Sequence, residues 1–384
     1  MPTDKPLPTL GQQLRGASRL AVSATTGLTD LVEAMHGGIA RLPLTNAKAR
    51  TRGITGLVYR SVRGVTGLVG GGVDLALQAL TPLLGAQRAS SEKGQAVLAA
   101  LNGVFGDYLA ETDNPLAIPM QLREAGVPLQ AAPVAAGRRP LLLIHGLCMN
   151  DLQWQAGGFE PALAELGYTP LHLHYNSGRH ISDNGRELAE LLEQLVKVWP
   201  TELQDLTLLG HSMGGLLARS AIHQASIAKM RWPKKLKQLV TLGTPHFGAP
   251  LERGGQQLQN LLGWSSYSKP IVALTQRRSA GIQDLRHASL TEADWGRPSA
   301  LPLPARVACY AMAAVTAKDA KSLAANTLGD GLVPLNSALG RHREAARSLA
   351  FPAERQWVIP ATGHLALLTD PAVRAKLKEW LSPR

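Results

Sequence analysis

The sequence predicts an α/β protein in which helices cover both faces of a mostly parallel sheet. From residue 140 onward, short apolar runs alternate with longer segments of helical periodicity, which is the pattern of buried parallel strands joined by helices. One apolar run, residues 206–209, leads into a helical pattern through a single glycine-flanked serine, Ser212. The chain of 384 residues is long enough for one large core with an appended region.

Residues 1–112 differ from the rest and are predicted to form an N-terminal region of weakly amphipathic helix. They are rich in glycine, and the tripeptide Thr-Gly-Leu recurs at residues 26, 55 and 66. The last two copies lie close to three helical turns apart, so their apolar residues share one stripe. The stripe must be buried, either against the remainder of the protein, which we favour, or in a lipid interface beside the basic residues of 41–63.

Residues 113–384 are predicted to form a second domain, which opens with a small hairpin over 118–129. Residues 247–304 interrupt the alternation that follows and are too apolar for a solvated loop. We interpret them as a helical cap over a pocket, with a plain structural insertion as the alternative. The predicted strands are 141–144, 169–175, 206–209, 236–242, 306–312 and 356–359, and the predicted helices are 159–166, 182–198, 215–222 and 371–381.

Charge and composition narrow the classes of function. The net charge is +12, and basic residues cluster at 41–63 and 229–237. Neither cluster has the interleaved aromatics or the motifs of a nucleic-acid binder, so we expect solvated faces, with peripheral membrane contact through 41–76 as the second interpretation. No signal-peptide pattern or convincing membrane span is seen, which predicts a cytoplasmic protein. Cys148 and Cys309 are expected to be reduced and buried, and no metal or cofactor is indicated.

The stretch around Ser212 has the pattern of a nucleophile elbow. Gly210 and Gly214 lie two residues before and after the serine, where only small residues let a strand and a helix approach through a strained turn. This geometry exposes the serine hydroxyl and leaves the N–H of Met213 at the helix N-terminus. A turn without chemistry would not require serine at its apex.

A serine nucleophile needs a base and an orienting acid, which follow it in the order acid, histidine in elbow-type enzymes. His364 lies in a loop after the last predicted strand, and Asp330 lies in a glycine-flanked turn. Asp284 and Asp294 fall within the cap and Asp319 lacks turn chemistry, so Asp330 is preferred.

The second oxyanion donor is expected from the loop after strand 141–144. Gly146 lets the backbone approach closely, which makes the N–H of Leu147 the partner of the Met213 N–H. His246, in Gly-Thr-Pro-His at a strand end, is a further residue that could line the site.

Taken in order, the segments His145-Gly146, Gly210–Gly214, Gly243–His246, Asp330–Pro334 and Gly363-His364 resemble the α/β-hydrolase superfamily. Within it, the chain is most similar to lipases and esterases of the triacylglycerol-lipase and GPI-inositol-deacylase-like groups. The resemblance covers about 118–384. It implies Ser212, Asp330 and His364 as a catalytic triad, Leu147 and Met213 as oxyanion donors, and His145 and the loop at Tyr175 as part of the substrate pocket.

The sequence therefore predicts a serine hydrolase that cleaves carboxylic esters of small molecules or lipids through an acyl-enzyme. Two alternatives remain open at this point. An acyltransferase would use the same site with an alcohol in place of water, and a non-catalytic module would use the sheet as a platform for a membrane or a partner chain.

Overall fold

The computed structural model describes residues 12, 15–23, 60, 63, 74, 92–124, 126–129, 136–249, 279–320, 322 and 327–382. The chain divides into two compact units. One comprises Met1–Pro6, Ser91–Ala110 and Ala117–Arg384, and the other comprises Leu7–Ser90 and Glu111–Leu116.

The larger unit is built on a sheet whose two central strands are buried along their whole length. Its strands are β1 Gln121–Glu124, β2 Val127–Pro128, β3 Pro140–Ile144, β4 Thr169–His174, β5 Leu206–His211, β6 Leu236–Leu242, β7 Ala308–Ala314 and β8 Gln356–Ile359. Among the described residues these eight strands form one sheet in the order β2-β1-β4-β3-β5-β6-β7-β8. The pairs β1–β2 and β1–β4 are antiparallel and the other neighbours are parallel. The mostly parallel sheet and the opening hairpin are therefore confirmed.

Helices lie on both faces of this sheet, as the sequence predicts. In β3, Leu142 and Ile144 join one buried apolar cluster, whereas Leu141 and Leu143 join another. This division follows from the alternation of side chains along a strand. The helices are α1 Glu92–Glu111, α2 Leu152–Ala156, α3 Phe159–Ala164, α4 Ile181–Val198, α5 Met213–Ile227, α6 Ala280–His287, α7 Leu335–Ala338 and α8 Pro371–Leu381.

Two predicted boundaries shift for local reasons. The strand predicted over 306–312 is β7, which begins at residue 308, because Arg306 adopts a φ of 64° that no strand residue can keep. The helix predicted over 159–166 ends at Ala164, and Gly167, with a φ of 80°, turns the chain into β4. The elements on either side of Ser212 lie where the apolar pattern predicts them, but both are longer, since β5 extends to His211 and α5 runs from Met213 to Ile227.

The predicted cap lies largely outside the described residues, since 250–278 are not among them. Of its remainder, α6 is capped at its N-terminus by Ser279, whose Oγ accepts a hydrogen bond from the N–H of Ile282. The residue after the helix, Ala288, has a φ of 54°. The apolar side of α6 is buried in one cluster with Leu147 and Met213, so the described part of the predicted cap packs near Ser212.

The smaller unit is described only in part. Residues 15–23 are helical, and Arg15 and Arg19 both pair with Asp74 at 3.1 and 2.9 Å. The hydrogen bonds from these guanidinium groups, that from Arg15 being the larger effect, lower the pKa of Asp74 to about 2. The Thr-Gly-Leu blocks and most of 41–76 lie outside the described residues.

The predicted division at residues 112 and 113 stays a prediction. The long helix α1, which the sequence analysis placed in the N-terminal region, groups with the sheet-containing unit over Ser91–Ala110. Among the helices that the structure describes, none combines the length and apolar character needed to cross a bilayer.

Candidate active site

Ser212 occupies a strained turn between β5 and α5. Its φ of 54° and ψ of −123° are far from the ordinary L-residue regions. The neighbouring glycines allow the turn, because a Cβ on Gly210 would lie 2.5 Å from the backbone N of Gly215, and one on Gly214 would lie 2.3 Å from the carbonyl oxygen of Ile144. Both distances are shorter than real contacts permit, so these two positions require glycine.

Asp330 and His364 form a buried pair in adjoining loops. His364 Nδ1 and Asp330 Oδ2 are 2.7 Å apart, and the backbone N–H of His364 donates to the carbonyl oxygen of Asp330 at 3.0 Å. The second carboxylate oxygen accepts the N–H groups of Leu332 and Val333 at 3.0 and 2.8 Å. With Nδ1 donating to the carboxylate, Nε2 of a neutral ring carries the lone pair that a base needs.

The loop of His364 is joined to the strand ends that carry Ser212. His211, directly before the serine, donates from Nε2 to the backbone oxygen of His364 at 3.1 Å, and the two rings are 4.7 Å apart. A Cβ on Gly243 would lie 3.1 Å from the His364 ring. Leu242, next to this glycine, accepts the N–H of Ser212 at 2.8 Å. Nε2 of His364 is buried and has no hydrogen-bond partner within the described part of the chain.

One predicted oxyanion donor directly follows the serine, and the other lies in a loop that packs against it. Met213 is the first residue of α5, so its N–H has no intrahelical acceptor. Gly146 brings the loop after β3 against the elbow, since its Cβ would lie 3.0 Å from Cβ of Ser212. The side chains of Leu147 and Met213 belong to the same buried apolar cluster.

That cluster is a buried apolar group beside the elbow. It joins residues of the β3 loop, of α4 and α5, and of the described part of the cap. Its position suits the hydrocarbon part of a substrate bound at Ser212. The buried members are Leu147, Ile181, Met213, Leu216, Ala249, Ile282, Leu285, Ala288 and Leu290.

His145 and Tyr175, both predicted to line the pocket, brace the loop that carries Leu147. Their rings stack at 4.3 Å, and the Tyr175 hydroxyl donates to the backbone oxygen of His145 at 2.9 Å. Burial lowers the pKa of His145 to about 3, so its ring is neutral and Nδ1 donates to the oxygen of Gly146 at 2.9 Å. These contacts fix the backbone around the candidate oxyanion donor.

His246 lies among buried polar groups on α5 and β6. Its Nδ1 is 3.3 Å from Nη1 of Arg219, and its Nε2 is 3.4 Å from Oγ1 of Thr241. Burial lowers the pKa of His246 well below its usual value and that of Arg219 to about 10. Both ring nitrogens are therefore engaged, and a role for His246 in the substrate pocket stays a prediction.

The sequence analysis missed a buried ionic network next to the β3 loop. Asp151 Oδ1 lies 2.9 Å from Nη1 of Arg123 and 3.1 Å from Nδ1 of His174, and all three side chains are buried. Burial opposes the charged form of Asp151, but the hydrogen bond from His174 and the charge of Arg123 outweigh it and lower the pKa. The only indication in the sequence is that His172 and His174 share one face of a strand.

Comparison with known proteins agrees with this architecture. Residues 169–302 match a family described as the PGAP1-like alpha/beta domain. The chain is 31% identical over 151 residues, which is 37% of this chain, to the Yarrowia lipolytica (strain CLIB 122 / E 150) protein named "Putative GPI inositol-deacylase C". The chain spans 17% of the length of that relative.

Solved structures that are similar to this chain include a lipase and a thioesterase. The mature form of Bacillus licheniformis lipase BlEst2 is 17% identical with a TM-score of 0.45, covering 69% of this chain and 98% of the lipase. The RedJ thioesterase of Streptomyces coelicolor is also 17% identical, with a TM-score of 0.41, covering 67% of this chain and 96% of the thioesterase. The predicted resemblance to lipases, esterases and the GPI-inositol-deacylase-like groups is confirmed.

Proposed function

We propose that this PGAP1-like protein is a serine hydrolase that cleaves carboxylic esters through an acyl-enzyme on Ser212. The observation that carries the proposal is the buried Asp330–His364 pair at 2.7 Å, joined through His211 to the strand that ends at the strained serine. A structural aspartate–histidine pair would not require a second strained residue at the same sheet edge. Leu147 and Met213 are the proposed oxyanion donors.

In the proposed first half-reaction, the Ser212 hydroxyl attacks the ester carbonyl carbon and Nε2 of His364 takes its proton. Asp330 holds the ring with Nδ1 protonated and stabilises the imidazolium that forms. The N–H groups of Leu147 and Met213 stabilise the negative charge on the carbonyl oxygen. In such sites each donor lowers the activation barrier by about 2.7–4 kcal/mol. The tetrahedral species then expels the alcohol, which receives the proton from His364.

In the second half-reaction, His364 takes a proton from water, and the resulting hydroxide attacks the acyl carbon. The bond between that carbon and Ser212 Oγ breaks, and the serine recovers its proton from the ring. The products are a carboxylic acid and the unmodified enzyme. The backbone donors serve both halves, since the charge develops on the same oxygen.

The substrate class that we propose is an ester with an apolar acyl chain, carried by a lipid or a small molecule. Support comes from the apolar cluster next to the elbow, which includes Leu147 and Met213 themselves. The name of the Yarrowia relative, an inositol deacylase, is in keeping with removal of an acyl group. We further propose a cytoplasmic enzyme that touches membranes through 41–76, in which case liposome sedimentation should weaken as salt rises.

The test is turnover of p-nitrophenyl esters of increasing chain length by the wild type and by Ser212→Ala. Loss of the nucleophile should lower kcat by more than about 10⁴-fold, while the melting temperature stays close to that of the wild type. Ser226→Ala, an exposed serine on the same helix, is the matched control and should retain activity. Full activity in Ser212→Ala would refute the proposal.

A further inference from the structure

Helix α1 lies outside the PGAP1-like match and packs against the loop that carries the candidate oxyanion donor. A Cβ on Gly103 would lie 2.0 Å from Sγ of Cys148 and 2.9 Å from its Cα. The same thiol lies 3.9 Å from the backbone oxygen of Ala100. Cys148 directly follows Leu147, so the helix touches the β3 loop at the residue next to the donor.

The same face of α1 contacts the loop after β4. A Cβ on Gly106 would lie 1.8 Å from Oδ1 of Asn176, and the Nδ2 group of Asn176 donates to the Gly106 oxygen at 2.8 Å. A Cβ on Gly178 would lie 2.1 Å from the Asn102 oxygen. Ser177, between these two loop residues, accepts the N–H of Cys148 on its Oγ at 3.0 Å. The two loops are therefore tied to each other as well as to the helix.

The start of the cap helix α6 completes the contact. Ser279 Oγ donates to the Gly103 oxygen at 2.6 Å, and the N–H of Ala280 donates to Oδ2 of Asp107 at 3.2 Å. The N–H of Gly281 donates to the oxygen of Gly178 at 3.0 Å. Because Gly103 and Gly106 have no side chains, their carbonyl oxygens are open to these side-chain donors.

Cys148 is the residue that needs this support. Its φ of 59° lies in the left-handed region. This conformation costs free energy in a residue that has a Cβ, and it persists only when the surrounding structure holds it. The hydrogen bond to Ser177 and the glycine gap in α1 provide that hold. The position of Leu147, one residue earlier, depends on the same turn.

We infer that α1 is a positioning element of the active site, in which Gly103 seats Cys148 and thereby aims the Leu147 N–H at the reacting carbonyl. The inference rests on the proposed function of Ser212. Gly103 touches no substrate, so it acts through Cys148. A residue upstream of the α/β-hydrolase resemblance thus determines how well the oxyanion is bound.

The decisive variant is Gly103→Ala. Alanine strengthens a helix relative to glycine, so loss of activity cannot come from a weakened α1, whereas the new methyl group displaces Cys148. On p-nitrophenyl butyrate we expect kcat to fall 10- to 100-fold, less than complete loss of an oxyanion donor, with KM within about 3-fold. Ala110 is half-buried on the same helix. The control variant Ala110→Gly should keep the wild-type kcat.

Rescue separates positioning from general damage. In the double variant Gly103→Ala/Cys148→Gly the clashing sulfur is gone and glycine adopts the positive φ without strain, so kcat should recover at least 5-fold over Gly103→Ala. Ser177→Ala removes the hydroxyl that accepts the N–H of Cys148. This variant tests the inference if Gly103→Ala fails to fold. Loss of one hydrogen bond of ordinary strength predicts about a 5-fold lower kcat with unchanged KM.

Thiol labelling tests the contact without reference to turnover. Burial raises the pKa of both thiols, and Cys309 serves as the internal reference. Gly103→Ala should speed maleimide labelling of Cys148 relative to Cys309 at least 5-fold. Wild-type kcat together with wild-type labelling in Gly103→Ala would overturn the inference. Absence of Ser212-dependent turnover in the wild type would instead overturn the proposed function, and the labelling result would still decide the contact.

Discussion

Replacing Asp330 by asparagine should stop catalysis while leaving the fold in place. In the wild type, Oδ1 of Asp330 accepts the N–H groups of Leu332 and Val333, and Oδ2 faces Nδ1 of His364. An asparagine can keep its oxygen on the two amides and present its NH₂ group to the ring. The ring must then accept at Nδ1 and carry its proton on Nε2, the atom that has to take the proton of Ser212.

The size of the effect follows from that change of tautomer. In a serine-protease triad the same substitution lowers kcat about 10⁴-fold, which corresponds to about 5.4 kcal/mol at 1.36 kcal/mol for each factor of ten. Asp330→Ala is the contrasting variant, because it leaves two buried N–H groups unsatisfied at about 1–3 kcal/mol each. It should therefore lose both activity and stability.

The assay is steady-state turnover of p-nitrophenyl butyrate, with thermal unfolding of each variant measured in the same buffer. We expect Asp330→Asn to melt close to the wild type, Asp330→Ala to melt lower, and both to be inactive at the sensitivity of the assay. An asparagine variant that keeps kcat within 10-fold of the wild type would refute the role of this carboxylate as the partner of His364.

Three further predictions concern the surroundings of the site. Gly146→Ala places a methyl group 3.0 Å from Cβ of Ser212 and should lower kcat/KM about 10²- to 10³-fold; unchanged kinetics would contradict the close approach. Asp151→Asn removes the charge that pairs with the buried Arg123. It should lower the free energy of unfolding in urea by about 3–5 kcal/mol, which is more than the loss in the double variant Arg123→Met/Asp151→Leu. Folded His145 has a pKa of about 3, below the unfolded value of about 6.5, so only the unfolded chain binds its proton between these values and stability falls on acidification. His145→Gln should reduce that fall between pH 6.5 and 4.5 by about 2–3 kcal/mol, and an unaltered pH profile of unfolding would show that the ring titrates normally.

Local sequence patterns predict the sheet and the elbow well, because each depends on neighbouring residues. The apolar runs that form β3, β5 and β6 are too short and too continuous for surface helices. Gly210 and Gly214 indicate the turn at Ser212. Asp330 and His364 could be selected from their order and their loop positions. The structure then places these two residues in contact at 2.7 Å.

Contacts between distant segments could not be read in the same way. Arg123 lies on β1 and Asp151 directly precedes α2, and nothing in either residue's neighbours along the chain indicates this contact. The periodicity of α1 predicts a buried face, but it does not predict that Cys148 packs against Gly103. A glycine at this position could equally indicate a helix of low stability. Such contacts depend on the assembled fold.

The most direct test of the account is to find the acyl group. Wild-type enzyme mixed with an excess of p-nitrophenyl butyrate, quenched in acid within one turnover and digested, should yield the peptide that contains Ser212 with the added mass of one butyryl group. The adduct should be absent from Ser212→Ala and should form far more slowly in His364→Gln. A butyryl group on any other residue, or hydrolysis with a burst of product and no adduct on Ser212, would contradict the central claim.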